Sequence, residues 1–214
     1  MVYLVTTQEE LFENELYTII SADKALDMMQ SWDVIQVDSE TNGRDPHLCD
    51  FLCFQFGNKA ADTQIVVDCS CVDIKLYKNL LESKFLIGQN LKFDLQFLYK
   101  YGIVPRNVYD TMVVEQLLYL GYPSGLVSFS LKGVAERRLG IDIDKSTRGE
   151  IIWRGLDEKV IQYAAGDVMY LEKIMRSQVE DLKRLNMKRA AKLECDFIPS
   201  LAYMEWCGIL LDQN

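Results

Sequence analysis

The sequence predicts an α/β fold, a mixed sheet of three antiparallel strands followed by parallel ones, with helices on both faces. Two observations carry that expectation. Residues 34–38, 51–57 and 64–68 are β-rich apolar runs joined by short connections, the pattern of an antiparallel meander. From residue 72 onward, short apolar runs alternate with stretches of helical periodicity, the order that stacks later strands parallel to one another.

Taken in order, residues 16–20 read as a short strand, and Ser21 caps a helix through Met29 with Ala25, Leu26, Met28 and Met29 on its apolar face. Val34 to Asp38 is a β-branched strand ending in acid. A helix over 72–81 leads to the strand Phe85 to Gly88, then a helix over 91–101 capped by Asn90. Val108 to Asp110 is a strand, and Asp110 reads as the cap of a helix from Thr111 to Leu120 rather than as a metal ligand. Ser128 or Ser130 starts a helix to Leu139, and one long helix runs from about Asp157 into the Lys183 region. No internal repeat, low-complexity tract or Pro/Gly/Ser-rich linker precedes residue 190. The layout is that of a ribonuclease H-like α/β fold.

Composition bounds the function. At 214 residues the chain holds one domain or one domain with an appendage. With 49% hydrophobic and 26% charged residues it has ordinary globular composition, and no run is long enough for a membrane span. The acidic N-terminus is unlike a signal peptide, so the expected location is intracellular. A formal charge of -9 argues against wrapping nucleic acid over the whole surface, yet leaves room for a local substrate site. The single histidine, His47, removes Ser-His-Asp and HExxH chemistry. Of six cysteines, Cys49 and Cys53 fall in one extended run, which sets them ~13 Å apart at ~3.3 Å per residue, too far to share a zinc ion. Free thiols are the default for an intracellular chain.

Three acidic motifs remain. In Asp38-Ser-Glu40, period-two alternation points both acids to one face, where a cation would relieve their repulsion; the same residues read equally as the start of a solvated turn. Asp94 lies one turn into a helix, where an acid also suits the helix dipole. Tyr163 and Asp167, four apart, share a helix face across Ala164, Ala165 and Gly166, small residues that permit close approach to a neighbour or a substrate. An ordinary amphipathic helix reads the same way.

Together, Asp38-x-Glu40, Asn90-x-x-x-Asp94 and Tyr163-x-x-x-Asp167, in that order, resemble the three motifs of the tyrosine branch of the DEDD 3′-5′ exonucleases. That branch includes the proofreading domains of family A DNA polymerases and the ribonuclease D and Werner-type exonucleases. Residues 109–112, 129–140 and 144–146 are also similar, and the likeness covers about residues 15 to 180. The resemblance implies two divalent ions, Mg²⁺ or Mn²⁺, held by Asp38, Glu40, Asp94 and Asp167, with Tyr163 orienting the attacking water and nucleoside 5′-monophosphates released one at a time. Asn90, Phe93, Arg148 and Arg154 are candidate substrate contacts, and Phe93, Trp153 and Leu48 could meet a terminal base. The basic residues Lys132, Arg137, Arg138, Lys145, Arg148 and Arg154 read either as solvated surface or as a guide for the strand.

Residues 188–214 resemble the entry from a proofreading domain into a polymerase region, which divides the chain into an exonuclease domain over 1–187 and a connecting helix. The same segment also reads as a closing amphipathic helix with a Gly cap. The expected partners are a single-stranded DNA 3′ end and a DNA polymerase region or replication protein, with no membrane. A ribonuclease D-like exoribonuclease and a non-catalytic binding module are the alternatives, because the carboxylates do not choose the sugar.

Overall fold

A computed structural model describes residues 1–8, 14–123, 125–143 and 155–210. Seven strands form one mixed sheet in the order β2-β1-β5-β4-β3-β6-β7. They are β1 (Val2–Val5), β2 (Thr18–Ile19), β3 (Val34–Thr41), β4 (Phe51–Asn58), β5 (Gln64–Asp68), β6 (Phe85–Gly88) and β7 (Val108–Asp110). The meander is as expected: β4 runs antiparallel to both β3 and β5. β6 and β7 then add parallel to β3. β1, which the sequence reading omits, pairs parallel with β5 and β2 and extends the sheet on its other side.

The helices are α1 (Ala22–Gln30), α2 (Lys78–Ser83), α3 (Leu91–Lys100), α4 (Thr111–Leu118), α5 (Leu131–Leu139), α6 (Glu158–Asp167), α7 (Leu171–Arg184) and α8 (Lys188–Cys207). Ser21, Ser130 and Asp157 cap α1, α5 and α6 through side-chain oxygens, as helix-start chemistry requires. The predicted helix over 72–81 is instead a 3-10 turn, Ile74–Tyr77, capped by Asp73 and leading into α2. Alternation along β3 splits the core. Ile35 and Val37 pack with Phe54, Phe56, Leu91, Leu95 and Phe97 in the largest apolar cluster. Each such aromatic or aliphatic side chain contributes roughly 1.5–3 kcal/mol on burial.

The opposite face carries Gln36, Asp38 and Glu40 and is covered by α6 and α7. Ala164 and Ala165 are fully buried there against Leu4, Tyr17, Cys53 and Val66. They therefore do fill core, and their small size lets α6 lie close to the sheet. Among the described residues, and its own helix aside, no atom lies within 4 Å of where a Cβ on Gly166 would stand, so it serves no close approach to a described neighbouring element.

The single long helix expected from Asp157 is two helices, with a break at Val168 to Tyr170. Two sheet residues account for it. A Cβ on Gly57 would come within 2.6 Å of the Val168 carbonyl oxygen, so only glycine admits the backbone that closely. Gln36, fully buried, accepts a hydrogen bond from Glu172 N–H at 2.8 Å and donates to Asn58 O at 2.6 Å. It thus takes up an orphan donor at the start of α7. α8 packs on α3, with Tyr99 Oη donating to Pro199 O at 2.8 Å and Lys92 paired to Glu205 at 2.7 Å.

Candidate metal centre

β3 does not end at Asp38. It continues to Thr41, with its pairing irregular between Glu40 and Thr41, so both acids stand on a hydrogen-bonded strand rather than in a solvated turn. Asp38 pairs with Gln55 of β4 and Glu40 with Cys53. Asp167, the last residue of α6, descends onto this face where the Gly57 contact draws the chain to the sheet. One oxygen from each of Asp38, Glu40 and Asp167 lies within 4.8 Å of the others, the only such ligand group among the described residues. Asp38 and Glu40 are half-buried and Asp167 buried.

Asp94 reaches the same strand from the α3 side of the sheet. It is 4% exposed and accepts a hydrogen bond from Ser39 Oγ. Ser39 alternates to the face away from its acidic neighbours, which sequence reasoning overlooked; a third polar residue between two acids in an apolar strand was the available signal. Asp94 is therefore fixed at the back of the centre and is not part of the 4.8 Å group.

The start of α3 is built differently from expectation. Asn90 sits at the cap position in the left-handed region, φ 62°, and makes no side-chain cap. The cap comes from Asp110, whose carboxylate accepts from Asn90 N and Leu91 N at 3.0 and 2.7 Å. The same carboxylate accepts from Met112 N at 2.8 Å and Val113 N at 3.3 Å. One acid thus caps α3 and α4 together. Burial pushes its carboxyl up, against the pull of these four N–H groups.

Tyr163 stands one turn before Asp167 and is 9% exposed. Burial pushes its phenol well above the ordinary range, helped by the negative charge of Asp167 and Glu40 and by its hydrogen bond to Asp167. The hydroxyl is therefore fully protonated at neutral pH. Cys53 is completely buried, and desolvation followed by the Glu40 charge raises its thiol well above the usual range. All six cysteines are free, and Cys49 lies ahead of β4 rather than on it.

Among the substrate candidates, Asn90 is exposed and Phe93 is half-buried, its ring 5.0 Å from Phe97. Leu48 is 81% exposed. Asp144, Lys145, Ser146, Arg148, Trp153 and Arg154 lie outside the described residues. Arg137, half-buried, and Arg138, nearly buried, both turn inward. Both donate to the fully buried Glu115, at 2.9 and 2.8 Å, and Arg138 also pairs with Asp181. Lys132 makes an exposed pair with Asp142 at 2.7 Å.

A family model described as 3′-5′ exonuclease matches residues 13–182. DNA polymerase I of Aquifex aeolicus is 30% identical over 172 residues, 79% of this chain and 28% of that protein. Ribonuclease D of Haemophilus influenzae is 32% identical over 105 residues, 49% of this chain and 25% of that one. The chain thus spans less than a third of the length of these relatives. Among solved structures, NrnC of Brucella melitensis superposes with a TM-score of 0.74 at 23% identity, over 83% of this chain and 87% of that one. Ribonuclease D of Escherichia coli gives 0.72 at 22% identity, over 88% and 51%. At these identities the superpositions establish the fold.

Proposed function

From the premise that this chain belongs to the 3′-5′ exonuclease family, we propose that it removes nucleoside 5′-monophosphates from the 3′ end of single-stranded DNA. The observation that carries the reading is the convergence of Asp38, Glu40 and Asp167, with Tyr163 hydrogen-bonded to Asp167. An all-carboxylate donor set fits hard divalent cations, and the crowding of like charges is relieved when one is held between them. The family works with two divalent metal ions, and a structure of Brucella melitensis NrnC is described with bound Mg²⁺. Bound here, such ions supply a nucleophile at neutral pH and charge for the attacking and leaving oxygens of in-line displacement.

The chain's own groups do the rest. Asp38, Glu40 and Asp167 hold the ions, and Asp94, anchored by Ser39, supports the second from the α3 side. Tyr163 keeps its phenol proton at neutral pH, so it offers no base and serves as a neutral hydroxyl that orients the attacking water. Asn90, Phe93, Arg148 and Arg154 are the proposed contacts to the terminal nucleotides.

DNA is favoured by the longer match to a DNA polymerase, which also supports a proofreading role with residues 188–214 leading toward a polymerase region. The second reading, an exoribonuclease, is favoured by the ribonuclease D relatives. The test uses purified protein with 5′-labelled single-stranded DNA and RNA, Mg²⁺ or Mn²⁺, and the variants Asp38→Ala and Asp167→Ala. The expected result is a 3′-shortening ladder, stronger on DNA, that EDTA and both substitutions abolish. Preferential RNA degradation transfers the assignment to the second reading; metal-independent degradation, or none, removes the mechanism.

A further inference from the structure

Gln55 is completely buried on β4, and among the described residues neither its amide nitrogen nor its amide oxygen has a hydrogen-bond partner. Buried amides are nearly always satisfied, because stripping water from one without replacing its bonds is costly. Gln36, on the same face and equally buried, shows the norm with both amide atoms engaged. The position of Gln55 is informative. It is the direct cross-strand partner of Asp38, so the two side chains rise together from one face at neighbouring-pair distance. Its same-face neighbours along β4 are Cys53, clustered with Ala164 and Ala165, and Gly57, which lies beneath Val168. Gln55 is therefore enclosed between Asp38 and the stretch of α6 that ends in Asp167.

We propose that Gln55 is a positioning residue of the metal centre, whose Nε2 donates to the Asp38 carboxylate when that carboxylate turns onto a divalent ion. Its other flanking pair on this face, Val66 of β5, is apolar and offers the amide nothing. A donor held in a dry slot beside a ligating carboxylate fixes the ligand's rotamer and leaves its other oxygen for the metal, the role that outer hydrogen-bond partners play in metal sites.

The inference rests on Asp38 being a ligand, and the experiment separates the two claims. Mn²⁺ affinity is measured by electron paramagnetic resonance on wild type, Gln55→Leu, Gln55→Met and Asp38→Asn, alongside the melting temperature of each protein in EDTA. For Gln55→Leu, with Gln55→Met as the second apolar variant of similar size, the expected result is a metal-free protein at least as thermostable as wild type with Mn²⁺ bound about 10-fold more weakly. A merely structural glutamine gives the reverse, a lower melting temperature and unchanged affinity, and that outcome overturns the proposal. Unchanged affinity in both apolar variants while Asp38→Asn loses binding overturns the role of Gln55 alone. Unchanged affinity in Asp38→Asn overturns the metal reading beneath it.

Discussion

The chain gathers charged side chains in two places, by opposite rules. On the α6 face of the sheet, Asp38, Glu40 and Asp167 bring carboxylate oxygens within 4.8 Å of one another. Between α4, α5 and α7, a single carboxylate, Glu115, sits fully buried with Arg137, Arg138 and Gln178 donating to it, and Arg138 bridges onward to Asp181. The second cluster balances charge within the protein and ties three helices together. The first draws three carboxylates together near the end of a strand, an arrangement that a bound cation favours.

Substituting one member of each cluster sharpens the comparison. The largest effect is expected from Asp167→Asn, which should lower exonuclease turnover by about 10³-fold or more, several kcal/mol of lost transition-state stabilisation. The metal-free variant should melt no lower than wild type, because a like charge has been removed, and should gain less thermostability from Mg²⁺ than wild type does. Scanning calorimetry with and without EDTA reads both quantities. Glu115→Ala should do the opposite. Leaving two guanidiniums without their buried partner should cost about 3–5 kcal/mol in urea unfolding, while turnover of the folded fraction stays within about threefold of wild type. An Asp167→Asn protein as destabilised as Glu115→Ala would break the distinction.

Asp110→Ala should rank next. It removes two helix caps at ~1–2 kcal/mol each and frees the first turn of α3, so both stability and turnover should fall, by about 2–4 kcal/mol in unfolding free energy. Amide hydrogen exchange should locate the loosening at Asn90, Leu91, Met112 and Val113, the four donors Asp110 holds. The smallest effect is expected from Tyr163→Phe, which keeps the ring and loses the hydroxyl. Turnover should drop about 10-fold with Mn²⁺ affinity unchanged, since the residue orients water rather than holding metal. A Tyr163→Phe protein that loses Mn²⁺ would move the tyrosine into the ligand set.

Much of the fold was legible because the signals were local. The meander, the strand at Phe85 to Gly88, and the caps Ser21, Ser130 and Asp157 each follow from periodicity or from a side chain that reaches its own backbone. The 3-10 turn at Ile74–Tyr77 is a local departure, capped by its neighbour Asp73, but the larger misreadings involve a partner distant in sequence. The helix expected from Asp157 to Lys183 is broken because Gln36 and Gly57, more than a hundred residues earlier, engage its middle. Asn90 does not cap α3 because Asp110, twenty residues later, does so better. Arg137 and Arg138 looked like surface because the carboxylate that takes them inward belongs to another helix. β1 was missed because a four-residue strand gains its identity from pairing with β5 and β2.

By itself, the sequence determined which candidate groups share a face. Asp38 and Glu40 share a face because strand side chains alternate, and Tyr163 and Asp167 share one because a helix repeats near four residues, whatever surrounds them. The tertiary structure decided how these groups meet. It set Asp167 against Asp38 and Glu40 through the glycine at 57, joined Asp94 to the same strand by its bond to Ser39, and enclosed the amide of Gln55 beside Asp38. The reason is physical: periodicity acts over a few residues of one element, whereas convergence depends on how closely separate elements pack, and that is set by the size and polarity of residues far apart in the chain.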